Sequence, residues 1–400
     1  MATSRLQESE HTPQTFDLQL QLPVVMIARA YAFHQWLQAQ LPDSTVSLPD
    51  LKLLARSALR AVLAQALDLP CQPESEFAIR LTFTHPALAH ECAALWSTST
   101  APNQNDANRS RHLPRPMTLD KVLAQMKSLT RDELNQAGYL PPPPVADPCT
   151  LHDISFHQAS LYLAGRYNKY ARDISQTPFA ADGRQLAQTS VSETISQPAQ
   201  LVFKADEVKF VASGREDMDV RMLGNGRPFY LELLNPKQMT ITAAALDDLT
   251  RAINQTSQIQ VSPLCLVTKS NTCLIKDGEE SKAKTYACLV WTEQVLTDAV
   301  LAKLAPLHSG FDIQQQTPLR VLHRRAQLTR PKRVHGMAVK PLADHFVTVT
   351  LCAEAGTYIK EFIHGDCARS APSFAQMVGC RVDLLELDVV QVDLQWPPSL

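Results

Sequence analysis

The 400-residue sequence has no pair of cysteines at CxxC spacing, no apolar run long enough to span a bilayer, no heptad pattern, no internal repeat and little net charge. Each absence removes a class of protein. The nine cysteines, odd in number and scattered from Cys71 to Cys380, do not make a disulfide framework; they point to reduced thiols in a cytoplasmic or nuclear protein. Cys149 with His152, and His364 with Cys367, each fall short of the four ligands a structural zinc takes, so no metal is expected. A membrane helix needs about 20 apolar residues, and no stretch supplies them. The start MATSRLQESEHTPQTFDLQLQLP lacks the apolar centre of a secretory signal and the arginines of a transit peptide. The formal charge is -2, with 12 basic against 15 acidic residues in 1–155 and 26 against 25 beyond, so attraction to a polyanion has to come from a local patch. Without heptads, a monomer is the default.

What is present divides in two. A polar N-terminus, 1–20, reads as disordered. Apolar residues at three- and four-residue intervals predict helices over 24–41 and 48–69, FAIRLTFTH (77–85) alternates like a strand, and HPALAHECAALW reads as a helix. An Asn/Ser/Pro-rich mobile loop (98–116) and the stiff linker PPPPVADP (141–148) close an accessory α+β domain over 21–155. From 156 to 400, strands and helices intersperse without regular crossovers, which predicts an α+β domain built on a mixed, largely antiparallel sheet. DMDVRML and RPFYLELL read as two strands of a hairpin turned at Gly224, Asn225 and Gly226.

Four places carry candidate chemistry. In GREDMDVRML (214–223), Asp217 lies between Arg215 and Arg221. It is either a surface ion pair or a carboxylate held ionised for attack on carbon, with Glu216 and Asp219 as weaker candidates. Tyr286, in the strand KTYACLVWT, is either a core residue or a ring that stacks on a base and a phenol that orients a proton. In AGTYIKEF, Lys360 falls in the first turn of a helix, where a cation needs an anionic partner unless it is simply solvated. Ile359 beside it is core or base-packing. Finally, Arg320, Arg324, Arg325, Arg330, Lys332, Arg333 and Lys340 occur with no acid between Asp312 and Asp344, either a solvated charged face or a phosphate-binding strip on an extended or looped arm.

Taken in order, GRYNKYARDISQTPF, GREDMDVRMLGNGRPF, KTYACLVW, TPLRVLHRR, AGTYIKEFIHGD and LELDV resemble the signature of the pseudouridine synthase 10 family of archaea and eukaryotes. The resemblance spans about residues 157 to 400. It implies a pseudouridine synthase fold with a bent sheet around a central cleft, and isomerisation of a T-arm uridine of tRNA, position 54 or 55, without a cofactor. It implies Asp217 as nucleophile, Tyr286 as the active-site tyrosine, Lys360 paired with the carboxylate, Ile359 and Leu387 lining the pocket, and Arg215 helping to unstack the base. The module around FAIRLTFTHPALAHECAAL resembles a THUMP-type RNA-binding domain that docks the acceptor stem, although the zinc-holding CxxC pairs of relatives are missing here. Two other readings stand: a non-catalytic RNA-binding or scaffold protein with the same fold, and a carboxylate-dependent sugar hydrolase, for which Asp217 lacks a well-separated second acid.

Overall fold

A computed structural model describes residues 2–41, 47–48, 50–86, 124, 126–136, 138, 140–141, 144, 147–178, 180–181, 184–185, 189–323 and 325–398. The chain divides into two units, Met1–Ala159 and Ser160–Leu400.

The first unit is built on a three-stranded sheet, β1 (Asp17–Gln21), β2 (Phe77–Thr84) and β3 (Thr150–Gln158). β1 runs parallel to β2 and β3 runs antiparallel to it. Phe77, Ile79 and Leu81 alternate along β2 onto one face, where they meet Phe16, Leu18, Leu63 and Ile154 in a small core. Helices Ala2–Glu8 and Leu51–Leu67 cover that core, and the second is started by Asp50, whose carboxylate accepts from the backbone N–H groups of Lys52 and Leu53. Helix Val24–Gln40 buries Ala28 and Ala32 against Met126, Leu134 and Leu140.

Two sequence expectations change here. Residues 2–20 are not a disordered tail, because Leu6, Phe16, Leu18 and Leu20 supply apolar contacts to a helix and a strand there. The first unit also extends past residue 155, since β3 completes its sheet. The loop at 98–116 and most of the helix expected before it lie outside the described residues, as does part of the proline-rich linker.

The second unit carries an eleven-stranded sheet. Its strands are β4 (Leu161–Lys169), β7 (Glu207–Ala212), β8 (Arg221–Leu234), β9 (Ile259–Val261), β10 (Cys265–Val267), β11 (Lys284–Thr292), β12 (Phe311–Gln316), β13 (Thr329–Ala343), β14 (Phe346–Ala353), β15 (Ser370–Ala371) and β16 (Val382–Val392). The two-residue strands β5 (Ala180–Ala181) and β6 (Arg184–Gln185) pair with each other. The order is β10-β4-β8-β16-β11-β14-β13-β12-β15, with β7 on β8 and β9 on β4. All these pairings are antiparallel except β16 with β8, which meet in parallel at Asp388–Arg221 and Val389–Met222. A mixed, largely antiparallel α+β sheet is therefore what the interspersed strands and helices produce.

The Asn-Gly segment does not turn the chain. Met222 faces Lys169 and Arg227 faces Tyr167, so residues 223–226 bulge opposite Asn168 within one continuous strand. The reason lies in the partners. Asn225 trades hydrogen bonds with the backbone of Val392 through its side-chain amide, and Arg166 donates to the carbonyls of Asn225 and Gly226. Gly224, at φ 57°, lies where any β-carbon would collide with the Val390 carbonyl.

Nor is the basic segment a free arm. Leu319–Val321 form a single 3-10 turn, and β13 lies inside the sheet between β14 and β12, where Val334 and Met337 point into the core.

Candidate active site

The loop from Gly214 to Val220 joins β7 to β8 and carries the cluster of charge. It is held through Glu216, a weaker candidate of the sequence reading, by Arg227, Tyr167 and Gln176, to which that reading gave no role. Glu216 turns inward, 5% exposed, and accepts 2.7 Å from Arg227 Nε and 2.9 Å from the Tyr167 hydroxyl. Arg227 also donates to the Ser213 carbonyl at 2.8 Å, and Gln176 Nε2 donates to both the Tyr167 oxygen and the Gly214 carbonyl. Burial, followed by the Glu216 charge, pushes the Tyr167 phenol well up, so it stays a hydrogen-bond donor. Both members of the Glu216–Arg227 pair are out of water; removing one would leave the other uncompensated, a cost of about 3–5 kcal/mol.

Lys169 does the same for the next turn. Its buried Nζ donates to the carbonyls of Ile174, Asp217 and Met218 at 2.7, 3.2 and 3.0 Å. Burial lowers its pKa from the usual lysine range, which the nearby carboxylates partly offset. Arg172 ties the loop to β16 by donating to the carbonyls of Asp219 and Leu387. With Glu216 and these carbonyls fixed below, the Asp217 side chain is left on top, 46% exposed.

Among the described residues, two cations reach that carboxylate, and neither is a sequence neighbour. Lys360 Nζ lies 3.3 Å from Asp217 Oδ2 and Arg320 Nη1 lies 3.4 Å from the same oxygen. Lys360 is presented by the helix Ile359–His364, which follows β14 after a turn at Gly356; it also donates to both Asp219 oxygens, at 2.9 and 2.7 Å. Burial raises the Asp219 pKa, but the hydrogen bonds and charge of Lys360 outweigh it, so the net shift is downward. Arg320, from the 3-10 turn, donates through Nε to Glu361 at 2.7 Å. Burial disfavours its charge; contact with Glu361, then with Asp217, more than restores it. Half-exposed pairs of this kind are worth about 0–1 kcal/mol to stability. Two cations converging on one weakly paired carboxylate are thus poorly explained by stability alone.

The remaining expected residues separate into groups. Tyr286, on β11 between β14 and β16, is 9% exposed, and burial pushes its phenol up to about 12, with the Arg227 charge pulling the other way. Ile359 and Leu387 are buried in the same apolar cluster as Tyr286 and Val220. Arg215 is exposed. Arg221 does not face Asp217: it grips Asp388 through Nε and Nη2 at 2.9 and 2.6 Å, because β8 and β16 are in register there.

The basic strip is only partly free. Acids arrive from other segments, so Arg320 meets Glu361 and Asp217, Lys332 meets Glu354, and Arg333 meets Asp312. Arg325, Arg330 and Lys340 are exposed, and Arg324 lies outside the described residues. Among the described residues, no group of three or more His, Cys, Asp or Glu side chains is placed to hold a metal, and no helix is long and apolar enough to cross a membrane.

A mixed-sheet α+β protein with a carboxylate raised on a buttressed loop and flanked by two cations is the class these features define. Residues 162–393 match the family model described as Pus10, C-terminal, and residues 2–156 match eukaryotic Pus10, N-terminal. The chain belongs to the Pus10 family. It is 39% identical over 342 residues to the tRNA pseudouridine synthase Pus10 of Mus musculus, covering 85% of this chain and 64% of that one. The Homo sapiens protein of the same name is 38% identical over 343 residues, covering 85% and 63%, and that of Xenopus laevis 34% over 393 residues, covering 96% and 75%. The chain thus spans under two thirds of the mouse and human relatives. A crystal structure of a Cbf5-Nop10-Gar1 complex aligns with 56% of this chain and 47% of its own at 14% identity, with a TM-score of 0.31.

Proposed function

We propose that this chain is a tRNA pseudouridine synthase, an isomerase that converts a T-arm uridine at position 54 or 55 to pseudouridine with Asp217 as nucleophile. The observation that carries the proposal is the Asp217 carboxylate, half-exposed on its loop with Lys360 and Arg320 at 3.3 and 3.4 Å. It is supported by the family the chain belongs to and by the name its mouse, human and frog relatives bear.

In the reaction, an Asp217 oxygen attacks C1' of the ribose, and the C1'–N1 bond breaks with its electron pair leaving on the uracil. The freed base rotates. C5 then bonds to C1' as the carboxylate departs, the C5 proton is lost to solvent and N1 takes up a proton, which leaves a neutral isomer. Every heavy atom of the product comes from uridine, so no cofactor is called for. Tyr286, Ile359 and Leu387 are the apolar groups assigned to hold the loose base, and the elevated phenol pKa keeps the Tyr286 proton in place at neutral pH. Arg215, exposed beside the nucleophile, is assigned to the unstacked strand. Exposed Arg325, Arg330 and Lys340 suit phosphates. The first unit is assigned to docking the acceptor stem, and the monomeric protein to the cytoplasm or nucleus.

The test is release of tritium from C5 of uridine in an unmodified tRNA transcript. Asp217→Asn should release none while binding the transcript within about threefold of wild type. Turnover by that variant would remove Asp217 from the chemistry, and product outside the T-arm would overturn the substrate assignment.

A further inference from the structure

Asp217 is the second choice of both its cations. Lys360 Nζ is 2.7 Å from Asp219 and 3.3 Å from Asp217; Arg320 is 2.7 Å from Glu361 through Nε and 3.4 Å from Asp217 through Nη1. The two rival carboxylates sit differently. Asp219 is on the same loop, 65% exposed at its side chain, while Glu361 is 4% exposed, follows Lys360 on the same helical turn and has one buried oxygen, Oε2, without a hydrogen-bond partner. Leu319 N–H also donates to Asp366, so the arginine's turn is anchored to the segment bearing Glu361 at two points.

We propose that Asp219 and Glu361 are positioning residues that hold Lys360 and Arg320 near the nucleophile but off it. The inference rests on the functional reading above. A carboxylate clasped by a close ammonium and a guanidinium has its lone pairs committed to those donors, and it must break the contacts before it can bond to carbon. A carboxylate with no cation nearby would lose electrostatic help when it leaves C1' in the second half of the reaction. Separate anchors satisfy both needs: each cation spends its short hydrogen bonds on a partner that does not react, and its charge stays within 3.4 Å of one that does. The other charges around the loop do not replace this. Lys169 faces the Asp217 carbonyl, Arg172 the Asp219 carbonyl, and Glu216 is consumed by Arg227.

The experiment is single-turnover conversion of a tRNA transcript by the 400-residue chain, with transcript affinity measured separately. Asp219→Asn frees Lys360 to close on Asp217 without disturbing a buried group; the rate constant should fall about tenfold, a change of roughly 1.4 kcal/mol in barrier, with affinity unchanged. Asp219→Glu, which keeps an anion for Lys360, should recover most of that loss. Glu361→Gln should act in the same direction through Arg320. A wild-type rate in Asp219→Asn would overturn the inference, as would a loss that Asp219→Glu does not recover, or a parallel loss of affinity marking Asp219 as an RNA contact. If the wild-type chain makes no pseudouridine, the functional reading fails and takes this inference with it; an active wild type isolates the question to the two anchors.

Discussion

At the scale of single residues, the second unit keeps charge in places where water is scarce. Lys284, at the start of β11, is 7% exposed, and burial followed by the nearby Arg227 guanidinium lowers its pKa from 10.5 to about 8. The sign of the consequence is definite. Between about pH 8 and 10.5 the unfolded chain holds the lysine proton more tightly than the folded one, so stability rises with pH across that window; below it, the penalty is present in full. Replacing Lys284 with Met removes that penalty together with the Nζ hydrogen bond to the Lys282 carbonyl, so the variant should gain stability relative to wild type more at pH 7.5 than at pH 10. Denaturant melts of both proteins at the two pH values check this, and an equal offset at both would contradict it.

At the scale of elements, β8 is where sequence and structure part company. The Asn-Gly dipeptide carries the chemistry of a hairpin turn, and it becomes a bulge because Asn225 finds the Val392 backbone and Arg166 finds two carbonyls. Those partners lie far along the chain, and no local rule contains them. Gly224→Ala forces a β-carbon to within 1.8 Å of the Val390 oxygen and keeps a left-handed φ, which alone costs about 1–2 kcal/mol. Thermal melting should show a loss larger than that backbone penalty, because β16 must move away; an unchanged midpoint would mean the bulge relaxes freely.

The same distinction explains what was legible. Alternation gave β2, KTYACLVWT read as a strand is β11, and helical spacing gave Val24–Gln40 and Leu51–Leu67, since burial of one face is written into local order. The motif blocks marked Asp217 and Lys360. They did not show that Arg221 belongs to Asp388, that Glu216 turns inward to Arg227, or that Lys169, Arg172 and Gln176 in GRYNKYARDISQTPF hold the loop, because those contacts form only when distant strands align. The signal available in the sequence was that block itself, rich in long polar side chains at the end of a largely buried strand and just beyond it.

At the scale of the whole molecule, a chain of formal charge -2 has little general attraction for RNA. Among the described residues of the basic strip, Arg325, Arg330 and Lys340 are exposed and make no ion pair, whereas Lys332 and Arg333 are already paired. Changing the three free residues to Ala should weaken transcript binding and lower the slope of log affinity against log salt by about 2–3. Changing Lys332 should leave the slope unaltered, and filter binding across a salt series distinguishes the two results.

The position of β16 sets when all of this can happen. In the strand order, β10-β4-β8 lie on one side of it and β11-β14-β13-β12-β15 on the other, and residues 382–392 are the join between them. Asp217 precedes the first residue of β8, while Lys360 and Arg320 come from segments linked to the far side. On the ribosome, the loop bearing Asp217 emerges well before the strand that brings Lys360 and Arg320 alongside. Most of the chain must therefore wait, with two half-sheets exposing unpaired edges, until synthesis has passed residue 392 and cleared the exit tunnel. A stop codon in place of Leu387 would leave every named site residue except Leu387 and Asp388 in the chain, and still deny them a common sheet.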